Sequence, residues 1–76
     1  MLTVLRLHRE MRGLTQAELG QLAGLRQEYL SRIEHRWVVP TPQQRQRLAE
    51  ALGTPEDVLF ESSGLARVWE GPADVR

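Results

Sequence analysis

The sequence contains no cysteine, no lysine and no long apolar run. Without cysteine it can form neither a disulfide nor a thiolate metal site, which fits a protein of the reducing cytoplasm. No apolar run approaches the ~20 residues that a membrane span requires. The first six residues include Thr3 and Arg6, unlike the apolar core of a signal peptide. We therefore expect a cytoplasmic protein that does not enter a membrane.

Charges of both signs are equal in number but unevenly distributed. The 10 basic residues, all arginine, balance 10 acidic ones, and a net charge of zero argues against strong non-specific binding of nucleic acid. Residues 1–53 carry eight arginines and five acidic residues, whereas residues 54–76 carry two arginines and five acidic residues. The body is thus basic and the tail acidic. Arginine suits bidentate recognition of phosphate and guanine, although an arginine-biased genome gives the same skew.

Start and stop signals divide this small domain into short helices. Two capping boxes are predicted, Thr15 with Glu18 and Thr41 with Gln44, and glycines 13, 24 and 53 are the predicted stops. The predicted helices cover residues 3–12, 15–23, 27–35 and 42–52, with a short fifth helix that starts at Thr54-Pro55-Glu56-Asp57 and carries Val58, Leu59 and Phe60. Helix 2 is expected to turn Leu19, Leu22 and Ala23 inward. In helix 1 two apolar stripes compete, one of Val4, Leu7 and Met11 and one of Leu2 and Leu5.

The second and third predicted helices have the spacing of a helix-turn-helix, with Gly24 in the turn. On helix 3, Leu30 and Ile33 point to one side, at ~100° per residue. The opposite side carries Gln27, Glu28, Ser31, Arg32 and His35. Such side chains can pair with base edges in the major groove. A solvated helix face has the same pattern, so this face alone leaves both interpretations open.

Several short motifs, in their order, make the sequence resemble the phage-repressor helix-turn-helix family, which includes Cro, lambda-repressor-like and XRE proteins. The matching residues are Leu5-Arg6, Arg9, Gly13-Leu14-Thr15-Gln16, Glu18-Leu19, Ala23-Gly24-Leu25, Leu30-Ser31-Arg32-Ile33-Glu34, Pro40-Thr41 and Leu48-Ala49-x-Ala51-Leu52-Gly53. The resemblance implies an all-α, five-helix DNA-binding domain at residues 1–60 and a short tail at 61–76. It also implies transcriptional regulation, as by compact phage repressors, restriction–modification controller proteins and antitoxins.

The resemblance assigns roles to individual residues. Those that read bases are Gln27, Glu28, Ser31 and Arg32. Those near the DNA backbone are Gln16, Arg26, Arg36 and Thr41. Arg9 and Glu34 match a structural ion pair between helices 1 and 3. The implied partner is double-stranded DNA, read as a palindromic operator by a homodimer because one helix-turn-helix covers only a half-site.

Four residues depart from the family pattern. Gly20 stands where alanine is usual, which keeps a small residue between helices 2 and 3. Arg26 replaces the usual serine or threonine cap of helix 3. Arg36 stands where a glycine usually ends that helix, and Arg45 replaces an apolar residue of helix 4, which leaves room for Trp37 to pack over it. Trp37 is expected either to cover the small core or to contact DNA or a second subunit.

The tail contains a further apolar group. Leu65, Val68 and Trp69 have the spacing of one face of a short helix. Together with Leu59 and Phe60 they form the predicted dimer interface. The alternative is that Trp69 folds back on its own domain.

No metal, cofactor or catalytic activity is predicted. His8 and His35 are the only histidines, and no carboxylate cluster at ligand spacing accompanies both. No nucleophile–base set and no phosphate-binding glycine loop is present. The alternative function is a protein-interaction module of the same fold that has lost DNA binding, such as an antitoxin-like partner. The zero net charge and Glu28 on the exposed face favour that alternative, and the sequence does not identify a toxin or other protein partner.

Overall fold

The computed structural model describes residues 1–71, and this range contains five α-helices and no strand longer than an isolated bridge. The helices are α1 (Val4–Met11), α2 (Gln16–Ala23), α3 (Gln27–Glu34), α4 (Pro42–Leu52) and α5 (Glu56–Leu59). The prediction of an all-α, five-helix fold is confirmed. Within the described residues no helix has the length and apolar character that a membrane crossing needs.

Side-chain caps set the first residues of α2 and α4. Thr15 and Thr41 each accept a hydrogen bond from the backbone N–H three residues on, and Glu18 and Gln44 accept one from the backbone N–H of the threonine. Each box satisfies two of the backbone donors that a helix start leaves open. The register of the two helices on either side of α3 is therefore encoded locally.

The start pattern at Thr54 predicts that this threonine caps α5 as Thr15 and Thr41 cap their helices, and this prediction is wrong. The hydroxyl of Thr54 lies 3.2 Å from the carbonyl of Leu52 and 3.3 Å from Nδ1 of His8. The helix instead begins after Pro55, with no side-chain cap. Thr54 is buried because it connects α1 with the end of α4, a tertiary contact that the local start pattern did not show.

All five helices contribute to one apolar core, which also includes two residues beyond α5. Its buried members are Val4, Leu5, Leu19, Ala23, Leu30, Ile33, Leu48, Ala49, Leu52, Leu59, Phe60 and Ala66. In α1 the core takes the adjacent residues Val4 and Leu5, one from each candidate stripe, and leaves Met11 exposed.

The contact between α2 and α3 is closer than the sequence predicted. A Cβ atom on Gly20 would lie 2.5 Å from the carbonyl oxygen of Leu25, and the N–H of Leu25 donates to the carbonyl of Gly20 over 2.7 Å. Glycine is therefore required here, and not merely a small residue. This approach turns Leu19, Gly20 and Ala23 inward and leaves Leu22 on the outside with 63% of its surface exposed, so the inward prediction for Leu22 is wrong.

After a turn at residues 61–65 the chain is extended over residues 66–69, and the prediction of a short helix carrying Leu65, Val68 and Trp69 is wrong. Arg67 donates its N–H to the carbonyl of Leu59 and accepts from the N–H of Val4, while the N–H of Trp69 donates to the carbonyl of Leu2. Ala66 is fully buried and Arg67 is exposed. This alternation has the period of two typical of extended chain, and hydrogen bonds on both sides replace those of a helix.

The buried position of Ala66 gives a stability prediction. Ala66→Asp places a carboxylate without a counter-charge in the core, and we expect it to lower the free energy of unfolding by about 3–5 kcal/mol. The matched control is Ser62→Asp, at an exposed position of the preceding turn, which we expect to stay within about 0.5 kcal/mol of the parent. Thermal and denaturant unfolding measure both. Equal melting of the two variants would show that the segment does not pack on the core.

Candidate nucleic-acid interface

Helix α3 has one buried side and one exposed side. Leu30 and Ile33 are fully buried. Among the predicted base-reading residues, Gln27, Glu28 and Arg32 are exposed and Ser31 is half-buried; at ~100° per residue these four lie on the arc opposite the core. The structure therefore brings the predicted base-reading residues together on one accessible face.

The start of α3 is also accessible. Arg26 is the N-cap residue in an extended conformation, its side chain makes no capping hydrogen bond, and it is exposed. Within residues 1–71 neither Arg26 nor Arg32 forms an ion pair. Two guanidinium groups on this helix thus remain available for an anionic partner.

A buried ion pair holds α3 against α1. Nε of Arg9 lies 2.7 Å from Oε2 of Glu34, and Nη2 lies 3.2 Å from Oε1. The two residues are 8% and 4% exposed. Nη1 of Arg9 donates to the carbonyl of Leu14 over 2.8 Å. The pair joins the first and third helices, and each of the three guanidinium nitrogens of Arg9 has an acceptor, which a buried charge requires.

Gln16 belongs to the same network. Its amide nitrogen donates to Oε1 of Glu34 over 3.0 Å, so the side chain touches the last residue of α3. A side-chain amide has two N–H donors and one carbonyl acceptor. The contact with Glu34 uses one donor, and the half-buried amide keeps the other groups for a further partner.

Arg36 is paired within the chain, and its role near the DNA backbone stays a prediction. Its guanidinium donates to Glu61 over 2.8 Å, which engages it with the segment after α5. The residue has a φ of 62°, the left-handed conformation of the usual glycine, at a cost of about 1–2 kcal/mol for a residue with a Cβ. Its N–H donates to Ile33 and that of Trp37 donates to Arg32, which ends α3 as a glycine would.

Thr41 is exposed, and its hydroxyl oxygen accepts the capping hydrogen bond of α4. A hydroxyl that accepts through a lone pair still has a hydrogen to donate. The cap is therefore compatible with a hydrogen bond from Thr41 to a phosphate, and the two roles do not compete.

Two acidic residues beyond α4 neutralise arginines of the same chain. Glu56 accepts from Arg45 over 3.1 Å, and Glu61 pairs with Arg36. Arg45 also donates to the carbonyl of Pro40, so it lies under the loop between α3 and α4. The uneven charge distribution of the sequence is thus partly cancelled by contacts within the fold, away from the exposed side of α3.

On α1, the exposed Arg6 donates to Glu10 over 2.9 Å. This hydrogen bond and the negative charge of Glu10 raise the pKa of the Arg6 guanidinium above its ordinary value. The pair carries no net charge, and Arg6 therefore adds little positive potential beside α2 and α3.

Of the two alternatives for Trp37, the one in which it covers the core is wrong. Trp37 is 71% exposed, so it covers neither the core nor Arg45. Its ring stacks on the imidazole of His35, with the centroids 4.7 Å apart. Stacking between residues two apart beyond a helix end depends on the unusual φ of Arg36 between them, which no periodic pattern reveals.

Tyr29, at the edge of the core, donates its hydroxyl to Gln44.

The predicted dimer residues fall into two groups. Leu59 and Phe60 lie in the core of the same chain, so that part of the prediction does not fit the structure: the extended tail already covers them. Leu65 and Val68 are half-buried, and Trp69 is 41% exposed. Trp69 hydrogen-bonds through its backbone to Leu2, and its dimer role stays a prediction.

No three potential metal ligands converge among residues 1–71. His8 contacts Thr54, and Nδ1 of His35 lies 2.8 Å from the carbonyl of Ser31. Both imidazoles are thus engaged by single neutral partners.

Comparison with known proteins agrees with this geometry. A family model described as a helix-turn-helix domain matches residues 2–61, which include all five helices. The chain belongs to the helix-turn-helix family. The match confirms the resemblance stated from the sequence and the lambda-repressor-like fold, and it indicates a DNA-binding domain. A search among curated proteins finds no match to this chain.

The buried ion pair of this helix-turn-helix domain gives a second stability prediction. Glu34→Ala leaves the guanidinium of Arg9 buried without its counter-charge, and we expect a loss of about 3–5 kcal/mol in the free energy of unfolding. The control is Glu10→Ala, which removes the partner of the exposed Arg6 and should cost less than about 1 kcal/mol. Chemical denaturation of both variants provides the comparison. Similar losses for both would contradict a structural role for the buried pair.

Proposed function

We propose that this chain is a sequence-specific transcriptional regulator, most simply a repressor, that binds double-stranded DNA with α3 in the major groove. The observation that carries the proposal is the accessible face of α3. That face presents Gln27, Glu28, Ser31 and Arg32, while the opposite face is fully buried. An amide pairs with adenine, a guanidinium with guanine and a carboxylate with cytosine, so this face has the chemistry to distinguish base pairs.

The charge distribution supports recognition rather than general attraction to DNA. The net charge of the chain is zero, and ion pairs with Glu56 and Glu61 occupy two arginines that flank the loop between α3 and α4. Arg26 and Arg32 have no carboxylate partner among the described residues. Positive charge is thus available where the bases are read, and non-specific affinity is kept low.

Phosphate contacts then position the reading face. Gln16 is bound to the end of α3 through Glu34, and Thr41 begins α4 on the other side of the loop. Contacts of this type fix the register of a protein on the duplex without reading the sequence. In the proposal, Gln16, Arg26 and Thr41 carry this role, together with Arg36, whose guanidinium is also paired with Glu61.

The proposed assembly is a homodimer on a palindromic operator, since one helix-turn-helix covers one half-site and half-sites lie about one helical turn apart. The partly exposed residues Leu65, Val68 and Trp69 are the proposed contact between subunits. A dimer bound across a promoter would repress by occluding polymerase. Families of this type bind DNA and are typically not enzymes.

One observation favours a second candidate. Glu28 is exposed on the reading face, where a carboxylate repels phosphate and accepts only from a donor such as cytosine. In a protein-interaction module of the same fold, the carboxylate of Glu28 would meet no phosphate and would carry no such penalty. Such a module would bind no duplex, whereas a regulator requires cytosine at one position of the operator.

Two glutamine variants test the proposal because they separate base reading from positioning. Gln27→Ala should cost about 1–3 kcal/mol on the selected operator and far less on scrambled DNA. Gln16→Ala should weaken both in similar proportion, because a phosphate contact carries no sequence information. Equilibrium titrations of labelled duplexes at fixed salt measure the four affinities.

The control is Gln21→Ala, an exposed glutamine on α2 that lines a groove with Arg47 and Glu50 of α4. We expect it to bind both duplexes as the parent does. If Gln27→Ala leaves the ratio of specific to non-specific affinity at the parent value, Gln27 does not read a base.

A further inference from the structure

The exposed aromatic pair at the end of α3 has no role in the function proposed so far. Trp37 exposes 71% of its surface, yet it is held in place. Its N–H donates to the carbonyl of Arg32 over 2.9 Å, and its ring stacks on His35 with an interplanar angle of 28°. A large apolar side chain that is both exposed and fixed favours a contact with a partner.

The position of His35 determines where the indole lies. At ~100° per residue, His35 projects from the middle of the arc that runs from Gln27 to Arg32 on the exposed side of α3. Its Nδ1 lies 2.8 Å from the carbonyl of Ser31, so this nitrogen carries the hydrogen and the ring is anchored to the helix. The stack therefore keeps Trp37 next to the face that reads bases in the proposed function.

We propose that the His35–Trp37 pair is an additional DNA contact, in which the indole packs on a deoxyribose and its Nε1–H donates to a backbone phosphate. The proposal rests on the proposed DNA-binding function. Tryptophan combines an apolar body with a single polar donor, and the sugar-phosphate backbone offers an apolar sugar edge beside an anionic acceptor.

Charge complementarity favours DNA over a second copy of this chain. Arg32, one turn before the pair, has no carboxylate partner among the described residues. An interface between two copies at Trp37 would bury that guanidinium, and an unpaired buried charge is costly. DNA is anionic, so it would instead accommodate the charge of Arg32 while that side chain reads a base. Glu28, the acidic residue of the same face, lies two turns from His35.

Affinity measurements test this contact through Trp37→Ala. We expect the variant to bind the selected operator about tenfold more weakly, equivalent to about 1.4 kcal/mol. Scrambled DNA should be weakened by a similar factor, since the contact is to the backbone. The salt dependence should match that of the parent because the indole releases no counterion. The control is Leu22→Ala, an exposed apolar residue on α2, which should bind as the parent does.

Fluorescence of the full chain gives a second readout. In Trp69→Phe, Trp37 is the one remaining tryptophan, and the DNA affinity of that variant is measured first as its own reference. Its emission should change on addition of the operator, with the same midpoint as the anisotropy of a labelled duplex. Without DNA, the emission should not depend on protein concentration.

Three outcomes overturn the inference, and they are distinguishable. If the parent chain shows no preferred duplex by anisotropy, the proposed function fails and the inference fails with it. If the parent binds an operator but Trp37→Ala binds it equally tightly, or the emission of Trp37 is unchanged, only the inference fails. If the emission of Trp37 and sedimentation change together with protein concentration in the absence of DNA, Trp37 faces a second copy.

Discussion

The buried ion pair between Arg9 and Glu34 is the constraint on which the rest of this structure depends. Two charges withdrawn from water require each other, and here each receives a further hydrogen bond, Arg9 to the carbonyl of Leu14 and Glu34 from the amide of Gln16. The network therefore links α1, the start of α2 and the last residue of α3. Because apolar packing is tolerant of small rotations and a bidentate ion pair is not, this network fixes the angle at which α3 presents its exposed face.

The distribution of charge over the fold is a second constraint. A chain of zero net charge attracts DNA weakly as a whole, so any affinity must come from a local distribution of charge. Ion pairs with Glu56 and Glu61 engage arginines that flank the loop between α3 and α4, whereas Arg26 and Arg32 stay unpaired on α3 within the described residues. Part of the negative charge beyond α4 is thus paired with neighbouring guanidinium groups of the same chain.

Local signals predicted much of the fold, and tertiary contacts account for the errors. The capping boxes at Thr15 and Thr41 require only four successive residues, so they could be recognised directly and the structure contains both. The face of α3 followed from helical period alone. Leu22 was predicted to face inward, but the close contact at Gly20 brings another side of α2 onto the core. The tail was predicted to be helical, but hydrogen bonds to residues far away in sequence make it extended. The exposed position of Trp37 depends on the left-handed φ of Arg36, and no pattern of apolar residues predicts that φ.

The salt dependence of DNA affinity for the unmodified chain tests the central claim most directly. A duplex selected from random sequence and a scrambled duplex of equal length are titrated at several salt concentrations. We expect the selected duplex to bind more tightly than the scrambled one by a factor of about 10³ or more. Both affinities should fall steeply with salt because phosphate contacts release counterions. Equal affinity for the two duplexes, or no affinity for either, would contradict the assignment of α3 as a reading helix and favour the protein-interaction module.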